Sequence, residues 1–412
     1  MASLFPFRAL RPAPAGAARV ASVPYDVVSR DEARALAGGN PSSFLHVSRA
    51  EIDLPPEVDP HDESVYVAAA RRFDRLKQEA PLEREASPAL YLYRMRMGAH
   101  EQVGVAGCYA LDEYDDDLIR KHEHTRPDKE DDRTRHMLAL GAQTGPVFLT
   151  YRASSEVDQV VADAAGQSPL FDFEAPDGVR HTVWRVASTA AHALVSAFGR
   201  VPALYIADGH HRAASAARAR QTLRARLPSD RDPAETQPCD LLLAVAFPDN
   251  QVQILAYNRT VKDLGGLSVE AFLERVRSRF DLSAGPPSPA VRGDISMYLR
   301  NQWHTLRRTS AAGSSDGVIA SLDVSVLQEQ VLDPVLGIRD VRTDPRIEFV
   351  GGARGPAALQ RAVDEGRADV AFSMFPVSVS ELIEVSDAGE IMPPKSTWFE
   401  PKLRDGLLIH EI

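Results

Sequence analysis

The segment P-A-L-Y-I-A-D-G-H-H-R, residues 202–212, joins a short apolar run to an alanine-rich stretch from Ala213 to Arg226. The apolar run predicts a β-strand and the alanine-rich stretch an α-helix, so the polar residues between them form a strand-to-helix turn. A helix N-terminus has free N–H groups and a positive dipole end, and both favour an anion. Gly209 allows the backbone to approach that anion, and Arg212 can bind phosphate oxygens. The turn therefore predicts a phosphate site; the alternative is a capped helix start with surface histidines.

The length and composition limit the classes of protein to which the chain can belong. The 412 residues are too many for one core and predict two or three domains. The net charge of −11 argues against a nucleic-acid partner, because such a protein needs a basic face. We find no apolar run of ~18 residues and no signal pattern at residues 1–14, so we expect no membrane partner and a cytoplasmic location. Cys108 and Cys239 cannot build a disulfide framework or a zinc knuckle.

Hairpins alternate with helices along the chain, which predicts a mixed α/β (α+β) fold with small mixed sheets rather than one doubly wound sheet. A capping box at residues 29–32 begins the first predicted helix. The other predicted helices span residues 63–79, 189–198, 324–336, 356–364 and 380–386. The predicted hairpins pair residues 90–95 with 103–109, 240–247 with 252–257, and 295–299 with 303–307. A Pro-, Ser- and Gly-rich stretch at 282–293 predicts a linker between an N-terminal region, 1–281, and a C-terminal region, 294–412.

Two polar segments supply further candidates for a site. Residues 112–136 alternate in charge and contain three histidines, and they lead into Q-T-G-P at 143–146 and a predicted strand. Charge runs of this kind are usually solvated faces, but the strand that follows favours an ordered, ligand-facing segment. Residues 392–402 contain three prolines that stiffen the backbone around two lysines, two hydroxyls and a carboxylate. The alternative for this second segment is a surface turn that closes a C-terminal strand.

The whole chain resembles a prokaryotic family catalogued as domain of unknown function 1015. The motifs that carry the resemblance are P-Y-D-V (24–27), N-P-S-S-F-L-H-V (40–47), K-H-E-H-T-R-P-D-K-E-D-D-R (121–133), A-Q-T-G-P-V-F (142–148), I-A-D-G-H-H-R-A-A-S-A (206–216), F-V-G-G-A-R-G (349–355) and M-P-P-K-S-T-W-F-E-P-K-L (392–403). The D-G-H-H-R turn also looks like the phosphate motif of the ParB/sulfiredoxin-like superfamily. This resemblance implies a ParB/sulfiredoxin-like core with additional subdomains, and kinase activity on free L-serine, with pyrophosphate or a nucleotide as the donor.

The chain differs from other members of that superfamily, and these differences argue against some of their functions. Sulfiredoxins have a cysteine where His210 stands here, and their chemistry needs a thiolate. No basic recognition helix of the kind that partition proteins use on DNA is apparent. The sequence also contains neither the Walker motif nor the protein-kinase motif set. The second hypothesis is a nucleotide-binding, CTP-sensing module without kinase activity. A third is the same reaction run in reverse, from phosphoserine to serine.

Phosphoryl transfer needs positive charge around the transferred group, an in-line acceptor and often a base. We expect the donor phosphates to be held at the turn by His210, His211 and Arg212, with Gly209 and Ser215. The predicted opposing clamp consists of Lys121, Arg126 and Arg133. Asp208 or Glu123 would act as general base or as a ligand of the expected Mg²⁺, and Asp26 is a further base candidate. The predicted contacts to an amino-acid substrate come from His122, Thr144, Lys395, Ser396, Thr397, Glu400 and Lys402.

Overall fold

A computed structural model describes residues 1–79, 82–228, 232, 235–308 and 317–412. Contacts divide the chain into two compact units. Unit 1 consists of Met1–Val252 together with Pro401–Ile412, and unit 2 consists of Gln253–Glu400. The chain therefore leaves unit 1, builds unit 2, and returns to unit 1. The boundary predicted between residues 281 and 294 falls inside unit 2.

Unit 1 is a mixed α/β unit, which confirms the predicted fold class. Its strands are β1 (Leu4–Phe5), β2 (Leu10–Pro12), β3 (Leu82–Arg84), β4 (Tyr91–Met97), β5 (His100–Ala110), β6 (Ile119–Arg120), β7 (Ala142–Gln143), β8 (Val147–Tyr151), β9 (Phe171–Glu174), β10 (Arg180–Arg185), β11 (Leu204–Asp208) and β12 (Leu241–Pro248). Its helices are α1 (Ala17–Val20), α2 (Arg30–Ala37), α3 (Leu45–Ser48), α4 (Glu63–Glu79), α5 (Leu111–Asp115), α6 (Pro127–Leu140), α7 (Ser155–Ala165), α8 (Ser188–Phe198) and α9 (His210–Arg224).

A nine-stranded sheet forms the centre of unit 1, in the order β6-β11-β8-β12-β5-β4-β10-β9, with β1 added beside β5. The β6–β11 and β8–β12 pairs are parallel and the other pairs are antiparallel. Buried residues of β8 and β11, such as Leu149 and Ile206, belong to the same apolar core as Phe198 of α8 and Ala213 of α9. This packing fixes the end of β11, where the D-G-H-H-R turn begins.

Unit 2 contains its own antiparallel sheet and its own core. Its strands are β13 (Ile254–Leu255), β14 (Tyr257–Val261), β15 (Phe280–Ala284), β16 (Asp294–Leu299), β17 (Gln302–Arg308), β18 (Ile347–Gly351), β19 (Val370–Ser373) and β20 (Trp398–Phe399). Its helices are α10 (Val269–Arg277), α11 (Asp323–Leu327), α12 (Gly355–Asp364) and α13 (Val379–Asp387). The six-stranded sheet has the order β15-β17-β16-β19-β14-β18, and β13 pairs with β20. Back in unit 1, β21 (His410–Glu411) pairs with β7.

Several local predictions are confirmed. The capping box at Ser29 is present, α4 spans the predicted residues 63–79, and the β4–β5 and β16–β17 hairpins pair as expected. None of the helices in the described residues combines the length and the apolar character that a membrane span requires.

Two local predictions are wrong. Residues 240–247 do not form a hairpin with 252–257, because β12 is a buried central strand that pairs with β5 on one edge and β8 on the other. The helix predicted over 324–336 ends at Leu327 and continues only as a π-helical turn, Gln328–Leu332.

Candidate functional site

The D-G-H-H-R turn has the predicted strand–turn–helix geometry. Gly209 lies between β11 and α9 with φ 95°, a left-handed conformation that favours glycine. A Cβ atom on Gly209 would lie 2.9 Å from Nε of Arg212, so the space beside the turn is already filled by that guanidinium. Both the backbone conformation and the close contact therefore require glycine at this position.

Asp208 holds two cations at the N-terminus of α9. Its Oδ2 accepts from Nη2 of Arg212 at 2.7 Å, and its Oδ1 accepts from Nζ of Lys402 at 2.8 Å. Arg212 also donates to the carbonyl of Pro146. Burial by itself would raise the pKa of Asp208, but Lys402 and Arg212 outweigh it and hold this pKa well below its usual range. Asp208 is therefore ionised at neutral pH, and two cations facing one carboxylate leave a net positive charge.

His122, Glu123 and His210 form a cluster beside the turn. The backbone N–H of His122 donates to Nε2 of His210 at 3.4 Å, and the two rings pack edge to face with centroids 4.4 Å apart. Nδ1 of His210 lies 4.0 Å from Oε2 of Glu123. Burial lowers the pKa of His122 to about 4, and burial together with His122 lowers the pKa of His210 well below its usual value. Both rings are therefore neutral near pH 7.

The same cluster has the donor atoms of a metal site. One candidate ligand atom from each of His122, Glu123 and His210 lies within 4.8 Å of the other two. Neutral imidazole and carboxylate are common ligands of divalent transition metals. The three residues were predicted from sequence in separate roles, and the fold brings them together.

His211 contacts the segment that precedes α6. Its Nε2 accepts from the backbone N–H of Arg126 at 3.1 Å, while the side chain of Arg126 is exposed and binds Asp128 through two hydrogen bonds. The main chain of Arg126, rather than its guanidinium, is thus the group that meets the turn. Its predicted phosphate contact stays a prediction.

The other residues predicted to bind phosphate have protein partners. Lys121 forms an exposed ion pair with Asp117 at 3.0 Å. Ser215 is buried, and its hydroxyl donates to the carbonyl of Glu130 at 3.1 Å, which ties α9 to α6. These contacts give Ser215 a packing role and leave the predicted phosphate role of both residues as a prediction.

A small cavity in unit 1 adjoins the turn through Arg212. Its lining includes Tyr25, Arg133, Thr144, Arg212 and Asp405. Arg133 pairs with the neighbouring carboxylate of Asp132 and lies over the ring of Tyr25, with 4.3 Å from the guanidinium carbon to the ring centroid. Of the predicted residues, Thr144, Arg133 and Arg212 therefore meet at one cavity.

Several residues that line this cavity have buried polar atoms without a hydrogen-bond partner in the described part of the chain. Among the described residues, no hydrogen-bond partner is present for Ser48 Oγ, Arg212 Nε or Asp405 Oδ1, and all three atoms are buried. A Cβ atom on Gly145 would lie 2.3 Å from Asp405 Oδ1, so glycine at this position makes room for the carboxylate. Buried polar atoms normally have a partner, so this arrangement suits a small polar ligand or water.

Asp405 is a functional candidate that the sequence analysis missed. Burial raises its pKa to about 7, although Arg212 acts in the opposite direction. Asp26, the predicted base, is exposed, and its charge contributes to the raised pKa of Asp405. No motif marked Asp405, because its special character depends on burial that only the fold provides.

The predicted substrate residues of the C-terminal segment divide between the units. Lys402 belongs to unit 1, whereas Lys395, Ser396, Thr397 and Glu400 belong to unit 2. Ser396 is buried and donates to the carbonyl of Pro393, and Glu400 accepts from Nε1 of Trp398 at 2.8 Å. Their role in substrate binding stays a prediction.

A family model described as "Protein of unknown function (DUF1015)" matches residues 4–325. No curated protein matches the chain. Solved structures similar to it include a free serine kinase in complex with AMP, at 15% identity and TM-score 0.36, covering 71% of this chain and 86% of that one. SbnI from Staphylococcus aureus is 14% identical with TM-score 0.38, covering 72% and 82%. A conserved hypothetical protein from Pyrococcus furiosus is 15% identical with TM-score 0.35, covering 73% and 94%.

Proposed function

The chain belongs to the DUF1015 family, and on this premise we propose that it is a small-molecule phosphotransferase that acts at the D-G-H-H-R turn. The observation that carries the proposal is the pair of cations, Arg212 and Lys402, that Asp208 holds at the N-terminus of α9. The proposed acceptor is the hydroxyl of free L-serine and the proposed donor is pyrophosphate or a nucleotide. Both identities follow from the family resemblance described above.

The proposed phosphate subsite uses fixed positive charge. A phosphoryl group in transfer spreads negative charge over its oxygens, and preorganised cations stabilise that charge. Arg212 and Lys402 supply this charge, and the first turn of α9 adds N–H groups. His210 is neutral because it is buried, so it acts through hydrogen bonding or as a metal ligand rather than as a cation.

Asp405 is the proposed proton acceptor. In the transfer step the serine oxygen bonds to phosphorus, the bond from phosphorus to the leaving phosphate breaks, and the hydroxyl proton passes to a base. A base works best when its pKa lies near the working pH. Burial raises the pKa of Asp405 to about 7, whereas Asp208 is held strongly ionised by two cations. Asp208 is thus better suited to position Arg212 and Lys402 than to accept a proton.

The cluster of His122, Glu123 and His210 would hold a divalent cation. A divalent cation there would neutralise charge on the donor phosphates. Mg²⁺ prefers oxygen ligands, however, and this cluster offers two imidazoles and one carboxylate. The donor set therefore fits a divalent transition metal such as Mn²⁺ better than Mg²⁺.

Phosphorus NMR tests the proposal directly. Purified protein is incubated with a divalent cation, L-serine and either pyrophosphate or ATP. We expect a phosphoserine resonance with one of the donors, and that donor is thereby identified. Arg212→Lys and His211→Ala should lose most of the turnover, while Arg218→Gln, a half-exposed position on the same helix, should keep it. No product with either donor, together with a nucleotide-induced thermal shift, would favour the nucleotide-binding module instead.

A further inference from the structure

Unit 2 contains a buried arginine, Arg259, that has no carboxylate partner among the described residues. Arg259 on β14 is 2% exposed. Its Nη1 donates to the carbonyl of Tyr257 at 2.9 Å, and its Nη2 lies 3.4 Å from the carbonyl of Lys395. Its guanidinium carbon lies 5.4 Å from the ring centroid of Phe349. Within the described residues of unit 2, Arg259 forms no ion pair, and its remaining N–H groups have no acceptor.

A buried arginine destabilises the folded state unless another group compensates its charge. Buried charges in proteins are normally paired or bound to a ligand. Backbone carbonyls and one ring face compensate a guanidinium only in part, and burial lowers the pKa of Arg259 to about 10. The geometry around Arg259 therefore points to an anion that completes its environment.

Two motifs from the sequence analysis meet beside Arg259. Trp398, from the M-P-P-K-S-T-W-F-E-P-K-L motif, packs against Tyr257 with ring centroids 5.1 Å apart. A Cβ atom on Gly351, from the F-V-G-G-A-R-G motif, would lie 2.7 Å from the Trp398 ring. A Cβ atom on Gly352 would lie 2.5 Å from the carbonyl of Ala256. Gly351 is therefore needed for the close approach of the Trp398 ring, and Gly352 for the close approach of the Ala256 backbone.

Lys395 brings a second cation to the same place. Its Nζ lies 5.8 Å from the centroid of the Tyr257 ring, and its side chain is otherwise exposed. Its backbone has φ 58°, a left-handed conformation that non-glycine residues adopt only when their surroundings hold them there. The hydroxyl of Ser396, bound to the carbonyl of Pro393, fixes the same turn. The turn thus places the backbone carbonyl of Lys395 3.4 Å from Nη2 of Arg259 and the ammonium of Lys395 5.8 Å from the centroid of the Tyr257 ring.

We propose that Arg259 and Lys395 form an oxyanion-binding site in unit 2 that takes a phosphate-bearing small molecule. Two cations match the double charge that a phosphate group carries at neutral pH, whereas a carboxylate carries a single charge. The anion replaces the long contact from Arg259 to the Lys395 carbonyl and engages the guanidinium N–H groups that have no acceptor. The proposal does not depend on the phosphotransferase activity, because every residue that carries it belongs to unit 2.

Fluorine NMR of the full chain labelled with 5-fluorotryptophan tests the site. The chain has three tryptophans: Trp184 belongs to unit 1, Trp303 packs against Tyr298, and Trp398 packs against Tyr257. The Trp398 signal is assigned with Trp398→Phe. Titration with inorganic phosphate should move that signal in a saturable way and leave the Trp184 signal in place. Acetate, the single-charge comparison, should bind at least tenfold more weakly.

Matched variants separate this site from other phosphate contacts. Arg259→Met keeps the volume and removes the charge, and Lys395→Gln changes an exposed side chain that folding does not require. Both should weaken phosphate binding at Trp398 at least tenfold. Lys262→Gln, which removes a half-exposed lysine paired with Glu348, should leave it unchanged. The proposal is overturned by the absence of a saturable Trp398 shift, or by a shift that persists in Lys395→Gln and in a folded Arg259→Met.

Discussion

Nζ of Lys402 lies 2.8 Å from Oδ1 of Asp208, although 194 positions separate the two residues in the chain. Asp208 ends β11, and Lys402 belongs to the segment that returns to unit 1 after unit 2. The side chain of Lys402 is 9% exposed and that of Asp208 is 25% exposed, so this ion pair is partly buried. The pair places the predicted substrate residue Lys402 at the D-G-H-H-R turn and gives the turn its second cation.

The Lys402–Asp208 pair should contribute to stability. Lys402→Met leaves Asp208 with Arg212 alone and should lower the free energy of unfolding by about 2 kcal/mol, the size expected for a hydrogen bond between charged groups. Lys121→Met, which removes an exposed pair with Asp117, should change it by less than about 0.5 kcal/mol. Urea unfolding monitored by circular dichroism measures both. Equal effects of the two substitutions on the free energy of unfolding would mean that the Lys402–Asp208 pair contributes no more to stability than an exposed ion pair.

Asp405 should make stability depend on pH. Its pKa is raised by burial from 3.8 to about 7, so the folded state retains a proton that the unfolded state has released. The stabilising contribution is complete below about pH 4 and is lost as the pH rises through 7, with a slope of at most about 1.4 kcal/mol per pH unit. Asp405→Asn cannot ionise, so the stability of the wild type relative to this variant should fall between pH 4 and 7. A constant difference across that range would argue against a raised pKa.

The conformation of Gly209 should tolerate no side chain. Gly209→Ala imposes a Cβ atom at φ 95° and 2.9 Å from Arg212 Nε, and should cost about 1–2 kcal/mol from the backbone conformation alone. Gly16→Ala is the matched control, because Gly16 has φ −97° and open space around its Cβ position. Thermal unfolding compares the two variants. If Gly209→Ala were as stable as the wild type, the turn would have to adopt another conformation.

The cluster of His122, Glu123 and His210 should bind divalent metals with affinities that depend on its imidazole and carboxylate donors. Mn²⁺ should bind more tightly than Mg²⁺, and His210→Ala should weaken Mn²⁺ binding by roughly tenfold or more, as expected when a metal site loses a key interaction. Titration of free Mn²⁺ by its electron paramagnetic resonance signal measures the affinity without any substrate. His192→Ala, at an exposed position on α8, provides the control. Tighter binding of Mg²⁺, or Mn²⁺ binding unchanged in His210→Ala, would remove this cluster as the metal site.

The sequence was sufficient to predict those elements that depend only on residues adjacent in the chain. The apolar run at 204–206, Gly209 and the alanine-rich stretch are contiguous, so their strand, turn and helix could be derived without the rest of the chain. The α4 helix and the β4–β5 hairpin follow for the same reason. The pairing of β12 could not be predicted in this way. A fully apolar strand has no sequence pattern that indicates which other strands will pair with it.

The missed site residues depend on distant segments. Asp405 acquires its raised pKa only when Gly145 leaves room for the carboxylate in a buried cavity. Arg259 is one arginine among many in the sequence, and what distinguishes it is its burial with no carboxylate partner in the part of the chain that the structure describes. Lys402 was predicted with Lys395 because the two are neighbours in one motif, yet the boundary between the units separates them.

The discontinuity of unit 1 has a consequence for biosynthesis. The D-G-H-H-R turn emerges from the ribosome before any of unit 2, but Lys402 and Asp405 emerge only after Gln253–Glu400 has been made. During translation the turn therefore exists without its second cation and without the candidate proton acceptor. A nascent chain that stalls within unit 2 lacks Lys402 and Asp405, so the candidate site can be complete only on chains whose synthesis has passed Asp405.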